Sequence, residues 1–257
     1  MKYSYKDIIK GYTKEKRKRS SFWARCVSRP LSFPITFVLI NLGVSANAVS
    51  FFSMLIALTS CVMIILGDVY SYIGVGLFVL WHVLDCVDGN IARTKGESSY
   101  GGAFLDAVSG YIAPAFIYLA VGTSAFLTSD LLGKYGYLLI VMGGASSASD
   151  ILSRIVYQKY LVTEYRLGVM SQKENIDQVR GSGLYHLADL IMKQMSYSSM
   201  FMPLLILCTI FDRCDVLTML YFVYTFSILI VTVFFFCIKA KKLDSLNLNG
   251  KDTPIEF

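Results

Sequence analysis

The chain has 257 residues, of which 55% are hydrophobic and only 16% are charged, and its mean hydropathy is +0.55. A soluble domain usually carries about a quarter charged residues. The composition therefore indicates a polytopic membrane protein, and it excludes a disordered chain, an ordinary cytosolic domain and a disulfide-rich secreted domain. The six cysteines are scattered along the chain. We expect them to be reduced and to pack as small hydrophobic residues.

The first 45 residues form a basic segment that we expect to lie at the cytosolic surface of the membrane. Five basic residues fall between Lys14 and Arg19. Such a run can bind nucleic acid, but beside membrane spans it more simply indicates cytosolic retention and contact with anionic lipid. We therefore expect no nucleic-acid partner. The aromatic and leucine residues between positions 22 and 37 favour an interfacial amphipathic helix, and the alternative is a solvated charged run.

Six mostly apolar stretches follow, and each is a candidate transmembrane helix, since about 20 apolar residues cross the hydrocarbon core. They cover approximately residues 48–66, 72–87, 102–121, 136–157, 200–210 and 216–238. The sequence thus predicts an all-α, polytopic membrane protein. Residues 46–240 would form a domain of six transmembrane helices, and residues 241–257 would form a cytosolic tail.

The distribution of basic residues between the loops predicts the orientation of the chain. With the N-terminus in the cytosol, 22 of the 24 Lys and Arg residues fall on the cytosolic side, and only Lys134 and Arg213 fall outside. This asymmetry follows the positive-inside rule. We expect both termini and the loop over residues 158–195 to face the cytosol, in a bacterial inner membrane.

Three aspartates lie in or beside the second and third spans, where ionisable residues are costly and usually functional. Asp85 and Asp88 are three residues apart and share a helix face, while Asp106 lies about one turn inside the next span. Bare carboxylates in adjacent spans would repel one another, and a divalent cation would relieve that repulsion. Oxygen ligands favour Mg²⁺, Mn²⁺ or Ca²⁺ over Zn²⁺. Pairing with Arg93 and Lys95 is an alternative that needs no metal.

Residues 85–106 read DCVDGNIARTKGESSYGGAFLD, which resembles the signature of the CDP-alcohol phosphotransferase (CDP-alcohol phosphatidyltransferase) family, D-x2-D-G-x2-A-R-x8-G-x3-D-x3-D. Seven fixed positions match at the family spacing: Asp85, Asp88, Gly89, Ala92, Arg93, Gly102 and Asp106. Residues 46–50, ANAVS, also resemble the start of the family's first span. With the six-span plan, the resemblance covers about residues 30–240.

The resemblance implies an enzyme that transfers a substituted phosphoryl group from a CDP-linked donor to an alcohol or lipid acceptor and releases CMP, in phospholipid or surface-glycan assembly. It implies that the three aspartates hold Mg²⁺ or Mn²⁺, of which the family usually binds two ions. Gly89, Ala92 and Gly102 would shape the cytidine pocket, and Arg93 would hold that region or the phosphates. It also implies a homodimer.

The chain departs from the signature at Gly110, where the family has a fourth aspartate that is regarded as the general base and that also helps to hold metal. Another residue could act as the base, or the acceptor could carry its own base, such as a phosphate or carboxylate. The donor could instead be a CMP-activated phosphonate, or the chain could be catalytically inactive. The candidate replacement bases near the predicted cytosolic side are His82, His186, Asp189, Asp150 and Glu97.

Two other classes of function therefore compete with an enzyme. One is a non-catalytic relative that binds cytidine nucleotide, lipid and metal but lacks the base. The other is a transporter or channel with a cation site, which is disfavoured because the intramembrane charge is concentrated at one face of the bilayer. Release of CMP would separate the enzyme from the non-catalytic relative.

Overall fold

The computed structural model describes residues 3–13, 17, 20–96, 100–166 and 199–247, and these residues form helices and no strand. The helices are α1 (Tyr5–Lys10), α2 (Arg29–Asn41), α3 (Ala46–Leu66), α4 (Asp68–Lys95), α5 (Tyr100–Thr128), α6 (Leu138–Arg166), α7 (Phe201–Ile210) and α8 (Cys214–Asn247). A π-helical segment, Ala24–Ser28, leads into α2, and a 3₁₀ turn, Gly133–Tyr135, precedes α6. The predicted all-α architecture of a polytopic membrane protein is confirmed.

Five helical stretches are long and apolar enough to cross a membrane: α3, α4, α5, Gly133–Thr163 around α6, and Cys214–Lys241 within α8. The predicted fifth span corresponds to α7, which is apolar and has 10 residues. At a rise of about 1.5 Å per residue, α7 covers about 15 Å, roughly half of the hydrocarbon core. The described residues therefore contain five full-length spans and one short apolar helix.

The basic N-terminal segment folds back onto the helices that follow it. Reciprocal hydrogen bonds between Ser4 and Asp7 cap the start of α1. The backbone of Tyr3 exchanges two hydrogen bonds with the side chain of Asn41 at the end of α2, each 3.2 Å long. Ile8 is 1% exposed, because it packs in a cluster with residues of α2, α3 and α4. The segment thus contains two helices in contact with the bundle, and its position in the membrane interface stays a prediction.

Helix α3 packs against both α4 and α5. Gly74 of α4 lets the first of these pairs approach closely. A Cβ at Gly74 would lie 2.7 Å from Ile64 Cγ1 and 2.8 Å from the Ser60 carbonyl oxygen. The Ser60 hydroxyl donates a 2.8 Å hydrogen bond to the Gly74 carbonyl. Small and hydroxyl-bearing residues of this kind are typical of helix contacts in membranes.

Helices α5 and α6 also approach each other closely, at Gly122 and Gly143. A Cβ at Gly143 would lie 2.5 Å from the Tyr118 carbonyl oxygen and 3.1 Å from the Gly122 Cα. We therefore expect Gly143→Ala to force the two helices apart and to lower the free energy of unfolding by about 1–3 kcal/mol.

The adjacent variant Gly144→Ala is the matched control, because its Cβ would lie an ordinary 3.7 Å from Leu119 Cδ1. Alanine favours the helix there, so its stability should stay equal or rise slightly. Thermal unfolding of the two purified variants in one detergent measures the difference. Equal melting temperatures would contradict the close contact of α5 with α6.

Candidate active site

Helices α4 and α5 bring the two halves of the aspartate motif together. Helix α4 continues eight residues beyond the predicted end of the span at residue 87, so Asp85 and Asp88 both lie inside it. It ends at Gly96, whose φ of +68° lies in the left-handed region that favours glycine. Helix α5 begins at Tyr100, and Asp106 lies in its second turn.

One carboxylate oxygen from each of Asp85, Asp88 and Asp106 lies within 4.8 Å of the other two. Within the part of the chain that the structure describes, these residues are the one group of three or more acidic, cysteine or histidine side chains close enough to hold an ion. Asp88 is 3% exposed, Asp85 is partly buried and Asp106 is exposed. The group is therefore buried at one end and open at the other.

Three carboxylates at this spacing repel one another, and the repulsion grows where the dielectric constant is low. A divalent cation held between them would replace repulsion with attraction, and carboxylate oxygens are the ligands that Mg²⁺ and Mn²⁺ prefer. The type and the separation of the donor atoms therefore fit a divalent metal ion. Arg93 and Lys95, which the alternative without a metal would pair with the aspartates, donate hydrogen bonds to Asn90 Oδ1 at 2.8 Å and to the Val44 carbonyl at 3.2 Å.

Ser50 of α3 fixes the buried member of the group. Its hydroxyl donates a 2.5 Å hydrogen bond to Oδ2 of Asp88, and both side chains are buried. One turn further along α3, the Ser53 hydroxyl donates to the Ser50 carbonyl at 2.8 Å and lies 3.3 Å from the hydroxyl of Ser109 in α5. A line of buried serines on α3 thus connects the two motif helices. Ser50 is not among the residues predicted to form the site, although it lies in the family-like stretch over residues 46–50.

Asn90 is a second functional candidate that the sequence did not reveal, because it occupies a variable position of the signature. It is 2% exposed, and its Oδ1 accepts hydrogen bonds from Arg93 Nη2 at 2.8 Å and from Arg29 Nη1 at 3.2 Å. Its Nδ2 donates to the hydroxyls of Ser32 at 3.0 Å and Thr36 at 3.3 Å. Asn90 therefore ties the motif on α4 to α2 and orients Arg93.

The guanidinium of Arg93 lies over Gly89, within the motif itself. A Cβ at Gly89 would be 3.0 Å from Arg93 Nη1, so the absence of a side chain lets the guanidinium lie flat against the helix. Ala92 is half-buried next to it, and Gly102 lies in the first turn of α5. Lys95 Nζ, in contrast, donates to the carbonyl of Val44 at 3.2 Å. Two of the small residues predicted to shape a substrate pocket thus flank Arg93, whereas Gly102 lies on the neighbouring helix.

Gly110 lies on α5 one turn after Asp106, and therefore on the same face of the helix. It is partly exposed, and a Cβ built there would meet no atom of the other described elements within 4 Å. Among the described residues, nothing therefore blocks the first atom of a side chain at this position.

The candidate replacement bases have different surroundings. His82 is 4% exposed, and its Nδ1 lies 2.6 Å from the hydroxyl of Ser28. Asp150 accepts a hydrogen bond from Arg154. His186, Asp189 and Glu97 lie outside the described residues.

A family model described as CDP-alcohol phosphatidyltransferase matches residues 43–211, well over half of the chain. The matched range contains all seven signature positions, the three clustered aspartates and Ser50. No curated protein matches the chain, and no solved structure matches it.

Proposed function

The chain belongs to the CDP-alcohol phosphatidyltransferase family, and on this premise we propose that it transfers a substituted phosphoryl group from a CDP-linked or CMP-activated donor to an alcohol acceptor and releases CMP. The observation that carries the proposal is the convergence of three carboxylates within 4.8 Å on the two helices of the family signature. The reaction would serve phospholipid or surface-glycan biosynthesis, within a catalytic domain over residues 46–240.

The three aspartates are the proposed ligands of Mg²⁺ or Mn²⁺. When bound, such an ion would neutralise the phosphate charge of the donor and stabilise the departing CMP. Ser50 holds the carboxylate of Asp88 in one orientation, while the exposed Asp106 leaves the group accessible to a ligand. With three carboxylates in place of the family's four, the site would hold two ions less firmly than its relatives, or only one.

The remaining signature residues are proposed to bind the donor. Gly89, Ala92 and Gly102 leave room for the nucleotide to approach the helix backbones, and Arg93 supplies a positive charge at the edge of that space. Asn90 accepts a hydrogen bond from Arg93 and so limits the directions in which the guanidinium can point. This arrangement supports binding of a phosphate-bearing donor next to the aspartates.

Gly110 supports a second candidate function, a relative that binds cytidine nucleotide, lipid and metal without efficient catalysis. No side chain at this position can take the proton of the acceptor alcohol. A general base typically contributes about 100- to 10,000-fold to a rate. We therefore propose an enzyme with slow turnover, in which the acceptor proton leaves to His82, His186, Asp189 or a base on the acceptor itself.

The test of the reaction is release of CMP from a CDP-linked donor by the purified full-length protein. CDP-diacylglycerol and a CDP-linked small alcohol would each be supplied with Mg²⁺ and a mixture of alcohol acceptors. We expect CMP to appear slowly, and only when metal and acceptor are both present. Binding of CDP that requires Mg²⁺ but yields no CMP would support the non-catalytic relative. Absence of both would contradict the two candidates.

We also propose that the protein is a homodimer in a bacterial inner membrane, with both termini and the aspartate group in the cytosol. The charge distribution supports this orientation, because 22 of the 24 Lys and Arg residues then lie inside.

A cysteine at Leu131, which follows α5 and is 54% exposed, is expected to react with a membrane-impermeant maleimide on intact cells. Leu131 is preferable to the nearby Ser129, whose hydroxyl donates a 2.6 Å hydrogen bond to Asp215. The native Cys26 is exposed on the opposite, basic side and serves as the internal control. In a chain with Cys208 and Cys237 changed to serine, Cys26 should react only after the cells are permeabilised. The reverse labelling pattern would contradict the orientation.

A further inference from the structure

A cavity lies in the N-terminal part of the structure, and none of the three aspartates lines it. Its volume is about 470 Å³, which is within the range of about 300–1,000 Å³ for small-molecule sites. The described residues of its lining are mainly basic and aromatic, and none of them is acidic. The residues that give it this character are Arg17, Arg25, Arg29, Tyr12, Phe22 and Phe33.

The positive charge around this cavity comes from Arg17, Arg25 and Arg29. Among the residues that the structure describes, no acidic side chain forms an ion pair with Arg17, Arg25 or Arg29. The guanidinium of Arg29 lies over the ring of Tyr12, with 5.2 Å between its Cζ and the ring centroid. Its Nε is buried without a hydrogen-bond partner. Three arginines that line one cavity, with no acidic ion-pair partner among the described residues, indicate an anionic ligand.

We propose that this cavity binds the phosphate group of an anionic membrane phospholipid. Guanidinium groups match phosphate oxygens in planar, paired hydrogen bonds, which explains the phosphate. Exposed apolar side chains at the cavity favour a ligand that also carries acyl chains. Phe22 is 55% exposed, and Leu31, next to the lining residue Pro30, is 50% exposed. Free phosphate shares the charge chemistry but would leave these apolar surfaces in water. This lipid site is additional to the proposed aspartate site.

Arg29 connects the lipid site to the signature helix. It contributes to the cavity wall and also donates a hydrogen bond to Asn90, which accepts a second one from Arg93. A phosphate that engages Arg29 would compete with Asn90 for the same guanidinium. Occupation of the cavity is therefore linked by two hydrogen bonds to the position of Arg93.

The test is native mass spectrometry of the full-length protein in detergent, titrated with phosphatidylglycerol and, separately, with phosphatidylcholine. The double variant Arg17→Ala/Arg25→Ala removes two cavity charges from exposed positions. The matched control is Lys6→Ala/Lys10→Ala, which removes two exposed charges from α1 that do not line the cavity. We expect phosphatidylglycerol to bind about tenfold more weakly to the arginine variant and within about twofold of normal to the control.

Equal losses in the two double variants would show attraction to diffuse surface charge and would overturn the proposal. It would also be overturned if inorganic phosphate displaced phosphatidylglycerol at equal concentration, or if phosphatidylcholine bound equally tightly. A milder variant, Arg25→Lys, keeps the charge but loses the paired geometry, so its affinity should lie between those of the normal chain and the double variant. Unchanged phosphatidylglycerol binding in both arginine variants, with unchanged melting temperatures, would place the lipid elsewhere.

Discussion

Replacing Asp88 with asparagine is expected to abolish Mg²⁺-dependent binding of CDP and to lower CMP release by about a thousandfold or more, since a bound metal contributes several kcal/mol to such a reaction. Asparagine has nearly the same size, and its Oδ1 can still accept the hydrogen bond from Ser50. The substitution therefore removes charge while it preserves packing. Because it also relieves repulsion among the aspartates, the melting temperature without metal should stay equal or rise. Calorimetric titration of CDP with and without Mg²⁺ gives the primary measurement.

The matched control is Asp68→Asn, at the opposite end of the same helix. Asp68 is exposed and has a φ of +46°, a conformation that asparagine tolerates as readily as aspartate. This variant should bind CDP like the unmodified chain. If Asp88→Asn binds CDP with unchanged affinity in the presence of Mg²⁺, the aspartate group is not the metal site.

Replacing Gly110 with aspartate is expected to raise CMP release by about 100- to 10,000-fold, the usual contribution of a general base. A Cβ at Gly110 meets no atom of the other described elements within 4 Å, and the helix places the new carboxylate on the face of Asp106. The initial rate of CMP release at saturating donor and acceptor measures the effect.

Gly110→Asn separates a restored base from a change of shape. Asparagine fills the same space as aspartate, and it likewise removes the backbone freedom of glycine. It cannot take a proton at neutral pH, so CMP release should stay near the level of the unmodified chain. An equal rise in both variants would attribute the gain to packing. A lower or unchanged rate with aspartate would indicate that the native site uses a base elsewhere, and that the added charge is of no benefit.

Much of the fold was predictable because a membrane limits the available structures. Apolar length identified the long helices, and the spacing of Asp85, Asp88 and Asp106 predicted that their carboxylates would meet. The short length of α7 was also predictable, since the apolar stretch over residues 200–210 nearly equals the observed Phe201–Ile210. The apolar stretch predicted over residues 72–87 is shorter than α4, because hydropathy falls at residue 87 while the helical hydrogen bonds continue to Lys95. Hydropathy reports the membrane boundary, and the capping glycine reports the end of the helix.

The supporting residues of the site could not be predicted from the sequence alone. Ser50 and Asp88 are 38 positions apart, and Arg29 and Asn90 are 61 apart. Short-range periodicity carries no information about contacts at such separations. The signature identifies residues through family resemblance, and Asn90 occupies one of its variable positions. The cavity lined by arginines could not be predicted either, because in the sequence its basic residues are only part of a charged N-terminal segment.

The contact of α2 with Asn90 has a consequence for the side chain that position 90 can carry. The hydroxyl of Ser32 donates its hydrogen to the Arg29 carbonyl, and that of Thr36 donates to the Ser32 carbonyl. Both hydroxyl oxygens can then only accept further hydrogen bonds, so α2 presents two acceptors to α4. Asn90 is synthesised more than fifty residues later and brings the matching amide donors. The contact of α2 with α4 therefore favours the amide of Asn90 over the isosteric carboxylate of an Asn90→Asp variant, which would place acceptor oxygens against acceptor oxygens.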